Sequence, residues 1–275
     1  MNINYEELQM SYGTNAKNAP IVIMDSGLGG LNILAMLRKE KPSENFVLFM
    51  DHGFLPYGNK DVKILSRRVI NIVAKLKKIK PKAIIVGCNT IDSVVGDKIQ
   101  GQVGNIPFFR IIEITAREAV NQSTTKSIAL LATPNTVESQ KYMIDMLGYS
   151  PNTHLYGIEC PDMAVAIETG NDMKNVVKEE ITPIGTIAVD TIILGCTHYS
   201  LVKPIIKKEY PNAQIVDSSE VLVNRFLKKL EKMDYNSANK GTVKVITTLI
   251  DEKLEENVEK FLKDFDYEIV LDEMK

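Results

Sequence analysis

The chain lacks a surplus of either charge: 33 lysines and arginines face 35 aspartates and glutamates, for a net charge of −2. That balance argues against a nucleic-acid binder, which ordinarily carries a strong basic excess. Lys75 to Lys82 is the one basic stretch, and it reads as a solvated helix face. No apolar run approaches the ~20 residues of a membrane span, and the N-terminus shows no signal-peptide core. Cysteine is scarce, three in 275 residues, and an odd number builds no disulfide framework. Three cysteines and three histidines also show no paired metal-ligand spacing. These absences describe a cytoplasmic protein with free thiols, no membrane partner and no metal. Its length suits two modest domains, or one large one, able to bury a core without staples.

What is present is a regular alternation. Residues 1–19 are polar and aperiodic and read as a mobile leader. After them, Ile21-Val22-Ile23-Met24, Phe46 to Met50 and Ala83 to Val86 are too short for helices, which predicts buried strands. A helix is expected from about Leu31. Another is expected where Val62, Leu65, Val69, Ile72, Val73, Leu76 and Ile79 fall at helical spacing. The same events then recur. Ile128 to Leu131 leads to Thr133 and Thr136, and Thr191 to Leu194 leads to Gly195-Cys196-Thr197-His198. Cys88 and Cys196 stand 108 residues apart, and Ser26 and Thr133 stand 107 apart. A near-constant offset at two landmarks suggests an internal duplication. It predicts two similar, pseudo-symmetric α/β domains with mainly parallel sheets and a cleft between them. The helices and strands after about residue 218 exceed what a second unit needs. The expected division is therefore 20–115 plus 219–275 for the first domain and 116–218 for the second.

In open α/β sheets, ligands bind beyond the carboxyl ends of the strands. Asp25-Ser26, Pro56-Tyr57-Gly58, Cys88-Asn89-Thr90, Thr133 with Thr136, and Cys196-Thr197-His198 all fall there. A lone cysteine is usually a small buried hydrophobe, and Cys160, which has no counterpart, reads that way. Cys88 and Cys196 differ, because each follows a glycine at an equivalent strand end. Two opposed thiols suit one task, carrying a proton from one face of a carbon to the other. One must be a thiolate while the other is a thiol, and a group with a pKa of ~8.5 can be either near neutrality.

Asp25-Ser26-Gly27-Leu28-Gly29-Gly30-Leu31, Pro56-Tyr57-Gly58-Asn59-Lys60, Cys88-Asn89-Thr90 and Gly195-Cys196-Thr197-His198-Tyr199 together resemble the signature segments of the glutamate racemases. The resemblance also covers Thr133 to Tyr142 and Cys160-Pro161 to Glu168-Thr169-Gly170. It implies interconversion of L- and D-glutamate without a cofactor, supplying the D-isomer for peptidoglycan. It implies that Cys88 takes the α-proton from D-glutamate with Asp25 assisting. Cys196 would take it from L-glutamate, assisted by Glu168 and His198. Ser26, Tyr57, Gly58, Asn89, Thr90, Thr133, Thr136 and Thr197 match positions that hold the substrate's carboxylates and ammonium. The aspartate racemases are similar but usually carry glutamate where His198 stands. A homodimer is a further expectation of the resemblance. There are departures: Asp51-His52-Gly53-Phe54-Leu55 replaces the usual Asp-Thr-Ala opening, and Ile91 stands where a small residue is common. His52 reads as a surface-loop residue, and so does His154.

Other readings compete. A dinucleotide fingerprint is mimicked by Gly27-x-Gly29, but Asn32 breaks the third glycine position. A cysteine hydrolase could use Cys196 with His198, yet it leaves Cys88 and the repeat unexplained. A racemase of another acidic amino acid such as aspartate, or a non-catalytic amino-acid-binding descendant, would share the same motifs.

Overall fold

The computed structural model describes residues 3–13, 15–233 and 241–274. Among the described residues, ten strands form two sheets. The first joins β1 (Ile21–Asp25), β2 (Phe46–Met50), β3 (Ala83–Val86), β4 (Phe108–Arg110), β9 (Val243–Thr247) and β10 (Tyr267–Leu271), in the order β10-β9-β2-β1-β3-β4. The second joins β5 (Ser127–Ala132), β6 (His154–Glu159), β7 (Thr191–Leu194) and β8 (Gln214–Asp217), in the order β6-β5-β7-β8. Every pairing is parallel. The block β2-β1-β3-β4 therefore repeats as β6-β5-β7-β8, which is the duplication seen as a topology. Ile21 lies opposite Phe46 and Ala83, and Ile128 lies opposite Leu155 and Thr191.

β1, β2, β3 and β7 are buried along their whole length. Helices cover both faces of a parallel sheet, so such strands are apolar at consecutive positions. That is why they stand out in the sequence. β4, β6 and β8 do not, because they lie at or near sheet edges and are partly exposed. His154 thus opens an edge strand and does not lie in a loop, although its side chain is exposed as a loop residue's would be. β9 and β10 extend the first sheet at its β2 edge.

The leader expected to be mobile is corrected by the structure. Tyr5–Ser11 is a helix whose first turn is capped by the Asn4 side chain, which accepts from the Glu6 and Glu7 N–H groups. Tyr5 and Leu8, three apart on one face, are buried, and the Tyr5 hydroxyl donates to Asp272 at 2.7 Å. The lysine-rich stretch is also less solvated than its composition suggests. Lys75 meets both Asp272 oxygens at 2.9 Å, and Lys82 is buried against Glu44. A buried lysine persists only when paired in this way.

Candidate active site

The carboxyl ends of β1, β3, β5 and β7 converge on one cavity of about 170 Å³. Each strand delivers a reactive or hydrogen-bonding group at its exit. β3 runs through Gly87 to Cys88, which caps the helix Asn89–Gln100. β7 runs through Gly195 to Cys196, which precedes the 3-10 helix Thr197–Val202. β1 ends at Asp25, and β5 ends one residue before Thr133, the cap of the short helix Pro134–Glu138. Ser26, Tyr57, Gly58, Cys88, Thr90, Thr133, Glu168, Cys196, Thr197 and His198 all line the cavity. Cys88 and Cys196 are unlinked thiols.

The helix Leu28–Glu40 starts three residues earlier than the apolar spacing implied, because two glycines open it. A Cβ at Gly29 would overlap the Thr197 side chain, and one at Gly30 would stand 2.6 Å from the Asp25 Cβ. Only glycine lets this helix end approach the loop after β7. Across that approach the Thr197 hydroxyl donates to Asp25 Oδ2 at 3.1 Å. Asp25 Oδ1 accepts from the Ser26 and Gly27 N–H groups at 2.6 and 3.1 Å. Asp25 is itself outside the cavity lining and 1% exposed. Burial pushes its carboxyl upward, against the pull of His198 and the two N–H groups.

The second face is a chain of contacts. Cys196 Sγ lies 3.7 Å from His198 Nδ1, and His198 Nε2 lies 2.6 Å from Glu168 Oε2. The same Glu168 oxygen accepts from the Leu28 N–H at 3.0 Å. Burial opposes charge on His198, yet the Cys196 sulfur and the Glu168 carboxylate outweigh it and hold the imidazole well above its ordinary pKa. Burial also raises Glu168, but its bonds to His198 and to the Leu28 N–H prevail, and the carboxyl sits below the usual range. Cys88 has no such partner. Burial, and then the Asp25 carboxylate, raise its thiol well above the ordinary value. The two cysteines therefore face the cavity with different neighbours, the Asp25 carboxyl beside Cys88 and the His198 imidazole beside Cys196.

Two threonines close the far wall, with a third behind them. Thr90 and Thr133 hydroxyls lie 2.9 Å apart, and Thr136 lies 3.1 Å from Thr133. Thr136 and Asn89 stand behind the lining. Asn89 donates to Ser218 at 3.2 Å and accepts from the Tyr142 hydroxyl at 2.7 Å. Tyr57 turns its hydroxyl away, donating to Asp51 at 2.5 Å, while Arg68 grips the same carboxylate. Asn135 holds the Tyr57-Gly58 loop, donating to the Tyr57 and Lys60 carbonyls at 3.0 and 2.9 Å.

Several positions differ from expectation or escaped it. His52 is no surface residue: its side chain is 8% exposed and lies between Glu168 and Asp251. Ile91 is fully buried in the layer packed against the first sheet and does not line the cavity. Cys160 is buried in the core around the second sheet, as its lack of a counterpart implied. Leu55, Pro56, Pro161, Ala164 and Val165 supply apolar lining. Pro56 and Pro161 lie in segments the sequence singled out, but nothing in the local pattern marks Leu55, Ala164 and Val165, because an apolar wall residue looks like any other loop or helix residue.

Residues 33–226 match the family described as Asp/Glu/Hydantoin racemase. A glutamate racemase of Clostridium acetobutylicum is 32% identical over 246 residues, covering 87% of this chain and 96% of that one. Among solved structures, a glutamate racemase isoform from Bacillus anthracis superposes with a TM-score of 0.86 at 26% identity, over 94% of this chain and all of that one. The glutamate racemase of Francisella tularensis, in complex with D-glutamate, superposes with a TM-score of 0.85 at 27% identity, over 92% and 98% of the two chains.

Proposed function

The chain belongs to the Asp/Glu/hydantoin racemase family and is an amino-acid racemase acting on glutamate, and we propose that it does so by passing the α-proton between Cys88 and Cys196. The observation that carries this reading is the pair of free thiols at equivalent strand ends on one cavity. In the L-to-D direction Cys196, as thiolate, breaks the Cα–H bond and becomes a thiol. Cys88 gives its proton to the opposite face of the carbon and becomes the thiolate. The reverse direction exchanges the roles. A neighbouring imidazolium is an ordinary way to hold a thiolate, which suits His198 to the Cys196 side with Glu168 as its counter-ion. Asp25, behind Cys88, serves the other thiol.

Ser26, Thr90, Thr133 and Thr197 offer hydroxyls to the substrate's carboxylates and ammonium, and the helix N-terminus at Asn89 adds N–H groups suited to anions. Tyr57, Gly58, Asn89 and Thr136 hold those groups in place. A cavity of about 170 Å³ is of the size that holds a small organic molecule. The reaction so written needs no cofactor, metal or nucleic acid. Among the described residues no helix is long and apolar enough to cross a membrane. We place the enzyme in the cytoplasm, as a homodimer, supplying D-glutamate for peptidoglycan. Its working bodies are residues 20–115 with 219–275, and residues 116–218.

The test is racemisation by exhaustively dialysed protein and by Cys88→Ala and Cys196→Ala. The enantiomers have equal free energy, so kcat/KM must be equal in both directions, and each variant should lose both together. A single-cysteine variant with residual racemisation, or activity restored only by pyridoxal phosphate, overturns the two-thiol reading.

A further inference from the structure

The contacts on the Cys196 side do not stop at Glu168. Its Oε2 is fully used by His198 and the Leu28 N–H, while its Oε1 is buried without a hydrogen-bond partner. His52 Nδ1 is likewise buried and unpartnered, and it faces that oxygen at 3.7 Å. The other ring nitrogen, Nε2, lies 3.4 Å from Asp251 Oδ2. Asp251 in turn caps the helix Glu252–Leu262, its Oδ1 accepting from the Leu254 N–H at 2.7 Å. The backbone around His52 is fixed on both sides. Asp51 is gripped by Arg68 and Thr248, and the Gly53 N–H donates to the Thr248 hydroxyl at 2.9 Å. His52 is absent from the cavity lining, so any effect it has on the reaction passes through Glu168.

We propose that His52 is a positioning residue for the Cys196 face: seated by Asp251, it holds the outer oxygen of Glu168 so that the inner oxygen stays on His198. The proposal rests on the assignment of Glu168 and His198 to that face. Two carboxylates flank the ring, Glu168 from the second half of the fold and Asp251 from the C-terminal segment. A doubly protonated ring donates to both, and a neutral ring to only one. The arrangement ties the end of β2 and the C-terminal segment to a proton-transfer group carried by the other sheet's half. His52 is the last of the neighbours that hold the Glu168 carboxyl down, after its bonds to His198 and the Leu28 N–H.

The experiment is steady-state racemisation by the full chain from about pH 5 to 9, with thermal unfolding of each variant alongside. His52→Leu is expected to lower kcat several-fold, because nothing polar then faces the outer oxygen of Glu168. KM should stay within about twofold, since His52 does not line the cavity. The acid limb of kcat/KM should move to higher pH, because Glu168 loses a neighbour that holds its carboxyl down. His52→Gln, which keeps a donor for Oε1, should restore most of kcat. Asp251→Asn should lower kcat by a smaller factor and move the acid limb the same way. If His52→Leu does not fold, His52→Gln and Asp251→Asn decide, and both matching the unsubstituted protein in kcat and pH profile overturns the proposal. So does a foldable His52→Leu with unchanged kcat and pH profile, or equal impairment by Gln and Leu with no movement of the acid limb. Glu168→Gln separates the two levels. Full activity there removes the Cys196-face assignment itself, whereas an impaired Glu168→Gln beside a normal His52→Leu removes only the role of His52.

Discussion

Replacing Glu168 by Gln removes one charge from a pair that is almost closed to solvent, with Glu168 8% and His198 4% exposed. The amide oxygen can still accept from the Leu28 N–H, so that bond survives. What disappears is the counter-ion 2.6 Å from His198 Nε2. Breaking a buried pair by removing one partner costs about 3–5 kcal/mol, and a hydrogen bond to a charged group about 1.5–3. With one acceptor retained, we expect a loss of about 2–3 kcal/mol. Its pH dependence identifies the cause. His198 is raised on folding, so its contribution is complete below its unfolded pKa of about 6.5 and is lost as pH climbs through the folded value. Glu168 is lowered on folding, so its contribution is complete above about 4.3 and is lost as pH falls through the folded value. The gap between the two proteins should be widest between about pH 4.3 and 6.5 and narrow on either side. The chain has no tryptophan, so urea unfolding is best followed by far-ultraviolet circular dichroism at several pH values. A gap that is flat with pH, or smaller than about 0.5 kcal/mol throughout, would refute the ion-pair reasoning.

Cys160→Ala should keep racemisation within a few-fold and cost about 1 kcal/mol, because the Tyr199 hydroxyl bonds the backbone carbonyl here and only the long thiol contact to the Ile158 carbonyl, at 3.6 Å, is lost. Essential behaviour at Cys160 in a racemisation assay would contradict this. Gly29→Ala should destabilise by about 1–3 kcal/mol and sharply lower activity, since the new methyl must displace Thr197 and with it the bond to Asp25. Thermal unfolding and racemisation report both effects, and unchanged values would show that the close approach is dispensable. In a crystal with bound glutamate, each sulfur of Cys88 and Cys196 should lie about 3–3.5 Å from the α-carbon, on opposite faces and roughly 6–8 Å apart. A ligand touching only one of them counts against the mechanism.

By itself the sequence determined what depends on local pattern. β1, β2, β3 and β7 are apolar apart from Asp25 and Thr191 at their ends because helices cover both faces of their sheets, and such runs are visible without any partner. Cys88 and Cys196 could be paired because a duplicated unit repeats its landmarks at a constant offset, and equivalent strand ends carry equivalent positions. The tertiary structure decided the rest. The edge strands β4, β6 and β8 take half their definition from a neighbour, and the Tyr5–Ser11 helix is held by its buried Tyr5 and Leu8, a bond to Asp272 and an ion pair from Glu6 to Lys78. Glu168 was reached from the sequence only through a family resemblance, because its contacts are 30 residues away at His198 and 140 away at Leu28. His52 looked like a loop residue for the same reason. Its burial comes from Glu168 and Asp251, on segments that meet it only when the second half and the C-terminal segment fold against the end of β2. Hydrophobic periodicity records which face of an element is covered, but not which charged side chain of a distant element stands opposite.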